Sequence, residues 1–147
     1  MRKAACSILG ILFLAACQSE KKDKTNAEKA QGKEAFEMYE MSEMATLMEK
    51  MYEHHEAQKA QLEKGELTGN FPDELLKIHT AAFTDESDND AVFKQWASLY
   101  IQYEKNVYTD RAHAKIHHNN AVNACIACHQ QKCTGPIPRI KKLLIAE

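Results

Sequence analysis

Met41-Ser42-Glu43-Met44-Ala45-Thr46-Leu47-Met48-Glu49-Lys50-Met51-Tyr52-Glu53-His54-His55 is the stretch that decides the fold class. Met41, Met44, Met48, Met51 and His55 recur at alternating spacings of three and four. That keeps them on one face of an α-helix and would scatter them over both faces of a strand. From Lys33 to Lys64 neither proline nor glycine interrupts the pattern, and Gly65 supplies the residue that favours a helix end. Glu34, Glu37, Glu40, Glu43, Glu49, Glu53, Glu56 and Glu63 fall mostly off the stripe and read as a solvated face. The spacing predicts one long helix from about Lys33 to Lys64 with a single buried stripe.

Working outward from it, Thr68-Gly69-Asn70 continues a loop, and Pro72 stands where a first-turn proline belongs. A short second helix is expected to end near Phe83, with Phe71, Leu75, Ile78 or His79, and Ala82 along one side. After the polar run 84–90, Phe93, Trp96, Tyr100, Tyr103 and Val107 repeat at helical spacing and mark a third helix, its rings read as core packing. Thr109 or Asp110 is placed to cap a fourth helix through Ala112, Ile116, Ala121, Ala124 and Cys128. Gly135, Pro136 and Pro138 stop it, and Arg139–Ile145 is a basic, apolar tail able to fold back. Five glycines and three prolines in 147 residues fit this all-α reading: an antiparallel four-helix bundle.

The other end of the chain reads as an address. Met1-Arg2-Lys3 is positive, and 8–14 is an apolar run too short to span a bilayer permanently. It leads to Leu14-Ala15-Ala16-Cys17, which resembles the lipobox of bacterial lipoproteins, implying cleavage after Ala16 and acylation of Cys17. Residues 17–33 are polar and read as a tether, leaving 34–147 as the folded domain. Gln18 does not match the inner-membrane retention signal, and the leaflet stays open. An exported protein, anchored by lipid and facing the periplasm or cell surface, is the expectation. Removing residues 1–16 takes away Arg2 and Lys3, so the formal charge of −2 becomes −4. That is too acidic for a general nucleic-acid binder.

Of five cysteines, Cys6 goes with the leader and Cys17 with the lipid. Cys125 and Cys128 sit in Cys-x-x-Cys-His, and Cys133 is unassigned. Zinc would need two more ligands. His113 and His117 lie on the same predicted helix as the cysteines, and one helix cannot close around one ion. A thioredoxin-like pair needs βαβ context, which is missing. A c-type haem fits: two thiols one helical turn apart form thioethers, and the adjacent His129 becomes the proximal iron ligand, its other ring nitrogen free to donate. Export agrees independently, since haem c is attached outside the cytoplasm. His54 reads as a surface residue. His113, His117 and His118 read as surface or propionate-side residues, with His113/His117 a weak candidate for a surface metal site.

A Met-bearing first helix, further helices and a late Cys125-Ile126-Ala127-Cys128-His129 together resemble the cytochrome c′ family and its low-spin relatives such as cytochrome c-556, over about Lys33 to Lys132. The chain departs from the family in its short second helix, in Gln130-Gln131-Lys132-Cys133 after the motif, and in its Gly-Pro-Ile-Pro tail. The resemblance implies that the first helix covers the distal haem face. Counting back from Lys64-Gly65 then places the distal ligand near Met48, with Met44, Met51 and His55 as alternatives. It implies a mono-haem electron carrier, not an enzyme, serving redox partner proteins, with pairing of two copies left open. The alternative is a five-coordinate haem protein that binds or senses gases. Lys132, Arg139, Lys141 and Lys142 are candidates for a partner-docking patch.

Overall fold

Ser42 sets the first helix in place: its Oγ accepts from the Ala45 N–H at 3.2 Å, and helix α1 runs Glu43–Lys64. The computed structural model describes residues 40–146. The leader, Cys17, the tether and the expected helix start at Lys33 all lie outside them. Residues 40–42 are not helical, so α1 begins ten residues later than its composition suggested, because Ser42 caps it there. Met41 consequently falls off the helix and is exposed. The buried stripe is Met44, Leu47, Met51, His55, Gln58 and Leu62. Gly65, in the left-handed region at φ 74°, ends α1 with its N–H on the last-turn carbonyls.

The expected second helix is a 3₁₀ segment, Asp73–His79, which buries Leu75 and Ile78. Its early end has a cause in α1. The Met44 N–H donates to the Ala82 carbonyl at 2.9 Å, and Glu43 Oε2 accepts from the Ala82 N–H at 3.1 Å. The chain is thus drawn straight where a helix would have continued, and an otherwise orphaned N–H of the first turn is satisfied.

Helix α2, Ala91–Thr109, is capped by Asp90 Oδ1 on the Phe93 N–H at 2.9 Å. It buries Phe93, Ala97, Tyr100, Ile101, Glu104 and Val107, while Trp96 and Tyr103 are half-buried. Helix α3, Ala114–Lys132, starts after a 3₁₀ turn at Arg111–His113. Asp110 does not cap its backbone. Its carboxylate instead faces His113 Nδ1 and His117 Nε2, each at 3.0 Å. Lys132 near the end of α3 pairs with Asp90 at the start of α2, and His118 near the start of α3 meets Gln58 late in α1. Helix α3 therefore runs against both α1 and α2. The described residues are all helical or irregular, without a strand, and none of their helices is long and apolar enough to cross a membrane.

The tail does fold back. Helix α4, Ile137–Ile140, and a 3₁₀ turn, Lys141–Leu143, bury Ile140, Leu143 and Ile145 against α3 and α1. Its peptide groups are held from outside: Asn119 Nδ2 donates to the Ile145 carbonyl and Asn119 Oδ1 accepts from the Ile145 N–H, both at 2.9 Å. Lys59 Nζ donates to the Lys142 and Leu144 carbonyls at 2.9 and 2.8 Å. Asn119→Ala leaves both Ile145 groups without a partner and is expected to destabilise the chain by about 2 kcal/mol in urea unfolding, with faster proteolysis of the tail.

Candidate cofactor site on the third helix

On α3, Cys125 and Cys128 stand one turn apart and face the core built by α1 and α2, next to the buried Ala121 and Ala124. Both are free thiols. Burial pushes Cys125 up to about 12 and raises Cys128 as well, so in this setting they are neutral. A thiolate nucleophile needs the opposite shift.

His129 follows on the same turn. Its Nδ1 lies 3.0 Å from the Cys133 carbonyl, an acceptor only, so Nδ1 carries a hydrogen and Nε2 is the ring nitrogen left for another partner. No described residue takes that Nε2. The exposed Cys133 brings its Sγ to 3.5 Å from the same Nδ1.

Three hollows open around this turn. The outer one, about 360 Å³, includes Met44, Phe83, Phe93, Cys128 and Lys132 in its walls. One of about 30 Å³ runs inward between Met51, Trp96, Tyr100, Cys125 and Cys128. The third, about 70 Å³, lies under the tail beside Tyr52, His55, Cys125 and Arg139. Only the outer one reaches cofactor size, roughly 300–1,000 Å³. Met48 and His129 are the two residues that border all three. Among the four candidate distal ligands, Met44 borders only the outer hollow, Met51 the two inner ones, and His55 only that beneath the tail. Cys128 and His129 border the outer hollow, whereas Cys125 borders only the two smaller ones; the donor set of two thiols and an imidazole is one that can hold a macrocycle covalently, and seating it against both thiols needs the three hollows to join.

No family model, characterised protein or solved structure matches this chain.

Beside the hollows lies a polar cluster that the sequence did not announce. Glu104, fully buried, accepts on Oε1 from His54 Nε2 at 2.7 Å and from Gln58 Nε2 at 2.5 Å. Burial works against its charge, yet the His54 and Gln58 hydrogen bonds and the nearby histidine rings carry its carboxyl below the ordinary range. Gln58 Oε1 meets His118 Nδ1 at 2.6 Å, and His118 Nε2 meets the Leu143 carbonyl at 3.0 Å. His55, buried, has Nε2 at 3.2 Å from the Tyr100 hydroxyl, while its Nδ1 has no partner. Desolvation lowers His55 to about 4, so it is neutral.

Three histidine assignments are thereby corrected. His54 is a half-buried partner of Glu104, His118 is fully buried in the core, and His117 is half-buried with its Nδ1 enclosed and without a partner. Spacing held the signal: Gln58 falls between His55 and Leu62 on the α1 stripe, and Glu104 between Tyr100 and Val107 on the α2 stripe. His113 and His117 share Asp110. Within the basic patch, Lys132 is paired with Asp88 and Asp90, and Arg139 with Glu49 at 2.7 Å while stacked 3.6 Å over Tyr52. Only Lys141 and Lys142 stay free for a partner.

Proposed function

We propose that the chain is a mono-haem c-type cytochrome of cytochrome c′/c-556 type, a one-electron carrier outside the cytoplasm, tethered to the membrane by an acylated Cys17. The observation that carries this reading is His129: its Nδ1 is committed to the Cys133 carbonyl and its Nε2 is free, one residue after a thiol pair set one turn apart. Cys125 and Cys128 would hold the macrocycle and His129 Nε2 would bind its iron. Met48, the α1 residue that borders all three hollows, would close the opposite side. When bound, the group supplies a one-electron iron couple, which Met/His ligation sets at a comparatively high potential. Phe93, Trp96 and Ile78 exclude water from the inner wall. The reading assigns the chain no catalytic machinery; redox proteins would be its partners.

The test is an absorption spectrum of the mature protein made in cells that attach haem c, taken oxidised, reduced, and reduced under carbon monoxide. The expected result is a low-spin spectrum indifferent to the gas, and a Met48→Ala variant that turns fully gas-sensitive. A wild-type spectrum shifted by carbon monoxide would favour the gas-binding alternative. Absence of covalent haem would overturn the reading.

A further inference from the structure

We propose that His118, Gln58 and Glu104 form a buried site for a single proton, held when the cofactor is reduced and released when it is oxidised. The site is an inference from the hydrogen bonds alone; its coupling to the electron rests on the cytochrome reading above.

Hydrogen-bond polarity fixes the proton count. The Glu104 carboxylate only accepts, so the end of the Gln58 amide that faces it at 2.5 Å is the NH₂ group. The other end, Oε1, then faces His118 Nδ1 at 2.6 Å and also only accepts, so Nδ1 bears a hydrogen. His118 Nε2 faces the Leu143 carbonyl at 3.0 Å, a third pure acceptor, so Nε2 bears one too. His118 is therefore an imidazolium, joined through Gln58 to an ionised Glu104. Turning the amide over gives a second arrangement of the same three contacts: a neutral His118 accepting from the NH₂ group, and a protonated Glu104 donating to Oε1; in both, the buried Glu104 Oε2 has no partner. Both arrangements contain the same single proton. Without it, one acceptor faces another whichever way Gln58 is set, and a buried unsatisfied pair is costly.

The surroundings give this proton a route and a reason to move. Helix α1 contributes His54 and His55, with Lys59 beyond them; α2 contributes Tyr100, Tyr108 and Glu104; α3 contributes His118 and Cys125; the tail contributes the Leu143 carbonyl. His54, whose side chain is 19 % exposed, connects Glu104 to solvent. His55 lies 3.9 Å from Glu104 Oε2, and it and Tyr100 border the hollows beside the cysteines. Burial draws His118 below the usual histidine range and so works against its second proton, while the Leu143 carbonyl and Glu104 oppose that shift; the proton rests on the hydrogen-bond geometry. With the haem bound, an electron from a reduced partner protein would add negative charge in a poorly screened interior. One proton from solvent, entering at His54, balances it and leaves again on oxidation.

The deciding experiment is the reduction potential of the haem-loaded, full-length protein as a function of pH, in wild type and in Gln58→Met. Wild type should lose potential with rising pH, at up to about 59 mV for each tenfold fall in proton activity. Gln58→Met should lose most of that slope with its haem spectrum unchanged. A flat wild-type profile, or an equal slope in both proteins, would overturn the coupling. The site itself is read separately, in the unmodified chain without haem, from the ring-nitrogen shifts of His118 and the carboxyl-carbon shift of Glu104. A doubly protonated His118, or a protonated Glu104, is expected; a neutral His118 beside a carboxylate would overturn it. If haem fails to attach, the cytochrome reading falls, and these shifts still decide the proton site.

Discussion

Cys125→Ser/Cys128→Ser, produced in cells equipped to attach haem c, should carry no haem through a denaturing gel, whereas wild type should stain for haem at the position of its mature chain. The expected loss is complete, because a thioether survives denaturation and axial bonds do not. His129→Ala should behave differently. With both thiols intact, whatever haem is attached stays attached, but the proximal nitrogen is gone, so the spectrum should become high-spin. A double serine variant that still holds haem after denaturation would place the attachment elsewhere, and a wild type that never stains would remove the cofactor from the account altogether.

Mild acid should unfold the haem-free chain. His55 is neutral in the fold, at about 4, and returns to its ordinary 6.5 when the chain unfolds. Its folded value is the lower of the two, so the unfolded chain binds the extra proton. Stability is then complete above 6.5 and is lost progressively as pH falls toward 4. The span from 6.5 to 4, at about 1.36 kcal/mol for each tenfold in proton affinity, corresponds to a loss of about 3 kcal/mol. Glu104 adds in the same direction, since its folded carboxyl is also held low, and its contribution disappears as pH falls further. Urea unfolding of the haem-free chain between pH 7.5 and pH 4 measures the loss. His55→Phe should flatten the upper part of the profile, and an unchanged profile in that variant would assign the acid sensitivity to other groups.

Much of this architecture can be read from residue spacing, because a helix buried on one side writes its partner's position into every third or fourth residue. Met44, Met51, Phe93, Tyr100 and Val107 were all legible in that way. Met41 misled because it keeps the period while Ser42, a stronger capping residue than a helix interior tolerates, sets the start after it. The segment after Pro72 misled for a non-local reason: the Ala82 backbone is claimed by α1, and no property of 72–83 alone reveals that. The thiol pair and His129 are local, and their place on neighbouring turns of one helix was readable. Gln58, Glu104 and His118 were not, since a polar residue on a buried stripe looks like an interruption until its partner on another helix is known. Nor does a count of basic residues after the thiol pair show that Arg139 and Lys132 are already neutralised by Glu49 and Asp90.

The tail is gripped by its peptide groups: the carbonyls of Lys142, Leu143 and Leu144 and both backbone groups of Ile145 are engaged by Lys59, His118 and Asn119. Peptide groups are the same whatever residue bears them. The instructions for seating this segment therefore reside largely in α1 and α3, and the exposed positions 141 and 142 are free to drift in sequence without loosening it. Surface charge can therefore evolve there separately from the stability of the fold that presents it.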